Sequence, residues 1–133
     1  MQEIRTEHLT VGYEKKPLIG DVNLSVRPGE ILTLIGPNGS GKSTILKTIT
    51  KQLKKLDGTV FLGENSMDEL KDSQISKRLS MVMTERLRTE LMSGREVVAS
   101  GRYPYTGRFG ILSKEDWVKV DEAIALVHAK EVQ

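Results

Sequence analysis

Short apolar runs bounded by turn residues mark the strands that the sequence predicts. Residues 31–35 are apolar at all positions but one, which is the pattern of a buried strand. Residues 4–11 predict an earlier strand, and residues 21–27 alternate polar and apolar side chains before a turn at Pro28 and Gly29. We therefore expect two half-exposed antiparallel strands, followed by a buried one.

Strand and helix patterns alternate along the middle of the chain. Residues 43–53 predict a helix with one apolar stripe, formed by Ile45, Leu46, Ile49 and Leu53. Residues 58–63 and 79–83 predict two further strands, and a helix is predicted between them over residues 68–78.

Two more helices are predicted nearer the end of the sequence. Residues 94–100 predict a short helix with Ser93 as its N-cap and Gly101 just after its end. Residues 113–116 have the pattern of a capping box, and the apolar positions that follow have helical spacing: Trp117, Val120, Ile124 and Val127. Trp117 is expected in the core, because aromatic residues on an apolar helix stripe usually pack inward.

The strand predicted over residues 31–35 leads directly into a phosphate-loop sequence. This sequence fits the pattern G-x-x-x-x-G-K-[ST] and consists of Gly36, Pro37, Asn38, Gly39, Ser40, Gly41, Lys42, Ser43 and Thr44. Glycines in such a loop let several backbone N–H groups come close to one phosphate. The positive end of the helix that follows faces the same anion. The sequence therefore predicts a binding site for a nucleoside triphosphate.

Two side chains of the loop have predicted roles of their own. Lys42 brings a compact positive charge to the β and γ phosphates, and the Ser43 hydroxyl is a hard oxygen ligand for Mg²⁺. The alternative is a glycine-rich turn that fits the pattern by chance. Four constrained positions should coincide in only about one per cent of chains of this length, so we favour the binding site.

Composition excludes several other classes of protein. The 133 residues include no cysteine, which excludes a disulfide framework and a thiolate metal site. Apolar runs reach only about five residues, far fewer than the roughly 18 that span a bilayer, and the first residues contain no apolar signal core. We expect a soluble, single-domain protein that is not exported. A net charge of +2 is too small to predict binding to nucleic acid.

Residues on both sides of the loop resemble a known family. Tyr13, the pair of early strands, Pro28-Gly29-Glu30 and the loop with Pro-Asn-Gly-Ser at its centre resemble the amino-terminal half of an ABC transporter ATP-binding subunit. Residues 101–107 and 110–113 resemble the subgroup that serves importers of iron-siderophores, haem and vitamin B12. The resemblance covers essentially the whole chain.

The resemblance implies a fold, ligands and partners. The implied fold is α/β, a phosphate-loop NTPase core with an antiparallel β subdomain, of which residues 1–133 are the truncated amino-terminal part of one nucleotide-binding domain. The implied ligands are ATP and Mg²⁺. The implied partners are integral membrane permease subunits and a second ATP-binding subunit, at the inner face of the cell membrane. ATP would bind between two subunits, and its hydrolysis would power import.

Tyr13 lies where the family places an aromatic residue against the adenine ring. Stacking needs only a flat π surface, so the resemblance implies loose selectivity among bases. The alternative is a tyrosine that packs at the edge of a strand.

One position departs from the family pattern. In the family, a glutamine ends the strand that corresponds to residues 79–83 and contacts Mg²⁺ and the attacking water. Thr84 takes that place here, so the resemblance assigns it a catalytic and metal-binding role with a shorter side chain. Residues 91–95 look superficially like the family's signature but lack its second glycine, and we interpret them as a helix cap.

The sequence contains no LSGGQ signature, no apolar strand ending in Asp-Glu and no switch histidine, which the family carries further along. Such groups hold the metal and position water in phosphoryl transfer, so we expect this chain to bind nucleotide without turning it over. Three other functions stay open. They are a regulatory module that binds nucleotide without hydrolysis, a non-transport ABC ATPase, and a small phosphate-loop kinase, although the strands and Tyr13 ahead of the loop argue against the kinase.

Overall fold

The first 81 residues and the rest of the chain form two compact units in the computed structural model. The structure describes residues 3–83, 92–107 and 109–127. The described part of the first unit contains one antiparallel sheet and two helices, and that of the second contains two helices and a 3-10 turn. No helix within the described ranges is long and apolar enough to cross a bilayer.

The sheet of the first unit is built around its longest strand, β1, which pairs with three others. Every pairing is antiparallel, and β5 extends the sheet beyond β4. In chain order the strands are β1 (Ile4–Tyr13), β2 (Lys16–Val22), β3 (Ser25–Val26), β4 (Asp57–Leu62) and β5 (Asn65–Ser66). The predicted antiparallel pair ahead of the loop is confirmed. Its second strand begins earlier than predicted, so residues 21–27 contain only the end of β2 and the short β3.

The core of the first unit surrounds two fully buried side chains of β1, Leu9 and Val11. They cluster with buried side chains from several other segments: Ile49, Val60, Leu62, Met67 and Ile75. The buried positions of β1 do not alternate strictly, because His8 has a φ of 48° and the pairing with β4 shifts register between Glu7 and Thr10. Such a bulge turns the following residues to the opposite face of the sheet.

The predicted buried strand over residues 31–35 is wrong. These residues form no strand, and the side chains of Ile31 and Ile35 are 94% and 92% exposed. A buried strand needs neighbouring strands that satisfy its backbone groups and elements that cover both of its faces. Within the described ranges the strands pair only with one another, and none pairs with this segment.

The predicted helix after the loop is confirmed, although it is shorter than predicted. α1 (Lys42–Ile49) buries Ile49 and leaves Leu46 44% exposed. The chain leaves the helix where Lys51 takes a left-handed conformation with a φ of 60°. A residue in this conformation just beyond the last turn ends a helix.

Of the two predictions for residues 68–83, the helix is confirmed over a much shorter range and the strand is wrong. The helix is a single turn, α2 (Asp72–Ile75), because the preceding residues are tied to the sheet: the Met67 N–H donates to the Val60 carbonyl at 2.8 Å. Residues 79–83 form no strand, and Val82 is 95% exposed. As for residues 31–35, the apolar pattern is present, but no described strand pairs with it.

Both helices predicted for the second unit are confirmed, together with their N-caps. In α3 (Gly94–Ser100) the Ser93 side chain accepts from the Glu96 N–H, and in α4 (Lys114–Leu126) the Ser113 side chain accepts from the Asp116 N–H. The third residue of each helix returns a hydrogen bond to the cap residue, which completes a capping box.

The two helices of the second unit pack through Ala99, Val120 and Ile124. Trp117 packs against this cluster, as the apolar stripe predicts, and the Arg95 guanidinium lies 4.3 Å from the centre of its ring. Val127 does not extend the stripe, because it follows the end of α4 and is 67% exposed.

Candidate functional site

The predicted phosphate loop leads directly into α1. Gly36 to Ser40 are all exposed, with Pro37, Asn38 and Gly39 between them, and α1 begins at Lys42 after Gly41 as its N-cap. No side chain caps this helix end, and the first turn of α1 contains no acidic residue. The partial positive charge of the helix N-terminus is therefore not compensated by its own first turn, which favours an anion there.

Gly41 is required at the start of α1 for two reasons. Its φ of 89° lies in the left-handed region, which costs most other residues energy. A Cβ atom at this position would also lie 2.4 Å from Ile19 Cδ1 and 3.3 Å from Leu18 Cδ2. The loop can therefore approach β2 this closely only with glycine at this position.

Lys42 is turned back towards the loop that precedes it. Its ammonium donates to the Gly36 carbonyl at 2.8 Å, to the Pro37 carbonyl at 2.7 Å, and to Ser40 Oγ at 3.4 Å. The three hydrogens of an ammonium match these three acceptors. The positive charge thus lies within the curve of the loop, where the sequence predicts the β and γ phosphates.

The two hydroxyl residues after Lys42 point to different environments. Ser43 is exposed, whereas Thr44 is buried, with 5% of its surface exposed. The exposed Ser43 hydroxyl is a hard oxygen donor, the type that Mg²⁺ prefers. Mg²⁺ usually completes its coordination with phosphates and water. The donor set therefore fits Mg²⁺ bound together with a nucleotide.

Tyr13 lies next to the phosphate-loop helix. It is 51% exposed, and its hydroxyl oxygen lies 3.3 Å from Thr44 Oγ1. Tyr13 pairs with Lys16 at the end of the β1–β2 hairpin, and the two residues between them, Glu14 and Lys15, have φ values of 48° and 64°. Positive φ at both central residues is typical of a type I′ hairpin turn. The hairpin thus brings an aromatic ring beside the start of α1.

Sequence patterns did not indicate the contact between Tyr13 and Thr44, or that between Gly41 and Ile19. Each joins residues from different elements, and no local spacing encodes such a pairing. The assigned site residue Thr84 lies outside the described residues, so its predicted role remains a prediction.

A cavity of about 780 Å³ opens near the other end of α1. Two of the three lysines that line this cavity have acidic partners: Lys55 Nζ lies 2.6 Å from Asp68 Oδ2, and Lys51 Nζ lies 3.6 Å from Asp72 Oδ1. None of the loop residues from Gly36 to Thr44 lines it. The charge arrangement that suits a phosphate is therefore at the loop and not in this cavity.

Comparison with known proteins gives matches over most of the chain. Residues 19–133 match the ABC transporter family. An uncharacterised ABC transporter ATP-binding protein of Methanocaldococcus jannaschii is 42% identical over 127 residues, which cover 96% of this chain and 44% of that protein. The iron(3+)-hydroxamate import ATP-binding protein of Bacillus subtilis is 35% identical over 116 residues, which cover 87% of this chain and 43% of that protein.

Among solved structures, a nucleotide-free ATP-binding cassette from an ABC transporter matches with a TM-score of 0.77 and 22% sequence identity. The match covers 99% of this chain and 56% of that one, and it shows a shared α/β fold. The chain spans less than half the length of the two relatives from Methanocaldococcus and Bacillus.

Proposed function

The chain belongs to the ABC transporter family, and from this premise we propose that it is the nucleotide-gripping part of an ATPase that powers import of iron-siderophores or related metal chelates. The observation that carries the proposal is the position of the Lys42 ammonium, within hydrogen-bonding distance of the Gly36 and Pro37 carbonyls inside the loop. We further propose that residues 1–133 are the amino-terminal part of one nucleotide-binding domain.

The class of cargo rests on two supports. One is the resemblance of residues 101–107 and 110–113 to the subgroup that serves siderophore, haem and vitamin B12 importers. The other is the similarity to the Bacillus subtilis relative, an iron(3+)-hydroxamate import ATP-binding protein. The proposed partners are membrane permease subunits and a second ATP-binding subunit, at the inner face of the cell membrane.

Different residues of the site bind different parts of the nucleotide. The backbone N–H groups of the exposed residues Gly36, Asn38 and Gly39 and the N-terminus of α1 offer donors to phosphate oxygens. Lys42 exchanges its carbonyl acceptors for phosphate oxygens, which carry full negative charge and therefore attract the ammonium more strongly. Ser43 would hold Mg²⁺, which would supply positive charge to the phosphates. Tyr13 offers its half-exposed ring to the base.

Hydrolysis is proposed for the whole protein rather than assigned to the described residues. In phosphoryl transfer an acidic residue helps to hold the metal while a neighbouring group positions the attacking water. We propose Thr84 for a place near the metal and the water, in line with the family resemblance. Replacing Thr84 with Gln should then change the rate of hydrolysis in the whole protein while the affinity for ATP changes little.

Calorimetric titration with Mg²⁺-ATP tests the binding function directly. We expect Lys42→Ala to lose about 1.5–3 kcal/mol of binding free energy, because hydrogen bonds from a charged donor are lost. Lys54→Ala is the matched control, since it removes the same charge from an exposed position beyond the far end of α1. If Lys42→Ala and Lys54→Ala bind Mg²⁺-ATP equally well, the phosphate loop is not the binding site.

A further inference from the structure

Two hydroxyl groups meet at the edge of the candidate site. Tyr13 and Thr44 are 31 residues apart in the sequence, yet their hydroxyl oxygens lie 3.3 Å apart. The environments of the two side chains differ, since Thr44 is 5% exposed and Tyr13 is 51% exposed. A fixed, buried hydroxyl thus contacts the far end of a half-exposed aromatic ring.

We propose that Thr44 is a positioning residue, whose hydroxyl holds the Tyr13 ring in the orientation on which a nucleotide base stacks. The proposal rests on the proposed function, which brings a nucleoside triphosphate to the loop beside this ring. It adds a specific role for the Thr44 hydroxyl, which joins the phosphate-binding helix to the surface that receives the base.

The threonine is well suited to hold another group in place. It lies in the first turn of α1, and its carbonyl accepts a hydrogen bond from Thr48 Oγ1 at 2.8 Å. Its branched Cβ restricts χ1, and its burial leaves little room for another rotamer. The hydroxyl therefore has a nearly fixed position relative to Lys42 and Ser43.

The tyrosine is held at both ends, by its backbone pairing and by the contact at its hydroxyl. Its backbone is fixed by the pairing with Lys16 that closes the β1–β2 hairpin. Without the contact at its hydroxyl, the half-exposed ring would turn about its side-chain bonds and would lose that freedom when a base binds. Fixing the ring beforehand reduces this loss, so the contact should strengthen base binding by preorganisation.

Two ligands, one with a base and one without, distinguish an effect on base binding from an effect on phosphate binding. The contact should strengthen the binding of Mg²⁺-ATP more than that of Mg²⁺ with inorganic triphosphate, which has no base. A general defect in the loop or in folding would instead weaken both ligands.

The experiment is a double-mutant cycle with Tyr13→Phe, Thr44→Val and the double variant, in which the affinity of each ligand is measured by calorimetry. We expect Tyr13→Phe to lower the affinity for Mg²⁺-ATP about two- to tenfold, the effect of losing one hydrogen bond. The affinity for triphosphate should change much less. In the Thr44→Val background the same change should have no further effect on Mg²⁺-ATP. Thr44→Ser keeps the hydroxyl, so in this background Tyr13→Phe should again weaken the binding of Mg²⁺-ATP.

Tyr103→Phe is the matched control, since it removes a hydroxyl from a tyrosine of the second unit. The inference is overturned if Tyr13→Phe binds Mg²⁺-ATP like the unchanged chain, if it weakens both ligands equally, or if the effects of Tyr13→Phe and Thr44→Val simply add. Failure of the proposed function looks different, because the unchanged chain would then bind neither ligand. Tyr13→Phe decides the question even if Thr44→Val does not fold, because it alters a half-exposed side chain.

Discussion

A Cβ atom on Gly41 would lie 2.4 Å from the Cδ1 atom of Ile19, so the first residue before α1 packs directly against β2. Ile19 in turn pairs with Val11 of β1, two residues before Tyr13. This close contact therefore fixes the phosphate loop relative to the hairpin that holds Tyr13.

Replacing Gly41 with Ala should destabilise the chain more than the same change at Gly39. Both residues have positive φ, at 89° and 82°, so each alanine should cost about 1–2 kcal/mol for its backbone conformation. Only at Gly41 does the new Cβ meet other atoms, which should add about 1–3 kcal/mol. Urea unfolding measures both values. Ile19→Val removes the clashing Cδ1 atom and should recover part of the loss in Gly41→Ala, and equal losses at Gly39 and Gly41 would contradict the packing contact.

Replacing Ile31 with Thr tests whether residues 31–35 are exposed. Ile31 is 94% exposed, so its replacement should change the free energy of unfolding by less than about 0.5 kcal/mol. The control is Val11→Thr at a fully buried position, which should cost about 1–3 kcal/mol because it buries a hydroxyl. Ile31→Thr should also reduce binding of a hydrophobic dye, because it removes exposed apolar surface. A loss of stability as large as that of Val11→Thr would instead support the buried strand that the sequence predicts.

Removing the Tyr13 ring should weaken the binding of every nucleotide to a similar extent. Stacking on a flat ring is worth about 1–3 kcal/mol per base and tolerates any base, so Tyr13→Ala should weaken Mg²⁺-ATP and Mg²⁺-GTP alike. The unchanged chain should bind these two nucleotides with similar affinity. Competition titrations measure both effects. A Tyr13→Ala variant that binds as tightly as the unchanged chain would favour the alternative, a tyrosine packed at the strand edge.

The carboxylate of Asp116 should make the stability of the second unit depend on pH in the acid range. The Ser113 hydroxyl and N–H, together with the Arg102 guanidinium, lower the pKa of Asp116 from its usual 3.8 to about 2. Because this pKa is lower in the folded state, the charged group stabilises the fold above about pH 4, and this contribution disappears as the pH falls towards 2. Asp116→Asn should therefore destabilise the chain at neutral pH, and the difference from the unchanged chain should shrink over this range.

Fluorescence of Trp117, the single tryptophan, measures the acid unfolding of the second unit, because the residue lies on α4 next to Asp116. Glu122→Gln is the matched control on the exposed surface of the same helix. It should give the acid unfolding curve of the unchanged chain. If Asp116→Asn gives that same curve, the hydrogen bonds of Ser113 and Arg102 to Asp116 do not stabilise the folded unit.

The sequence by itself determined the features whose interactions are local. The helix caps at Ser93 and Ser113 form between residues three positions apart, so each pattern contains both partners. The same holds for the loop that leads into α1, since the glycine, lysine and hydroxyl residues occupy consecutive positions. The β1–β2 pair could also be predicted, because its strands are adjacent in the chain and antiparallel strands need only a short turn.

Tertiary structure alone decided the features that join distant residues. Residues 31–35 and 79–83 have apolar patterns typical of buried strands, but such strands also need neighbours, and no described strand pairs with either segment. The bulge at His8 and the contact between Tyr13 and Thr44 depend on how β1 meets β4 and α1. An apolar pattern records which residues favour burial, whereas packing and hydrogen-bond partners from other segments determine whether that burial occurs.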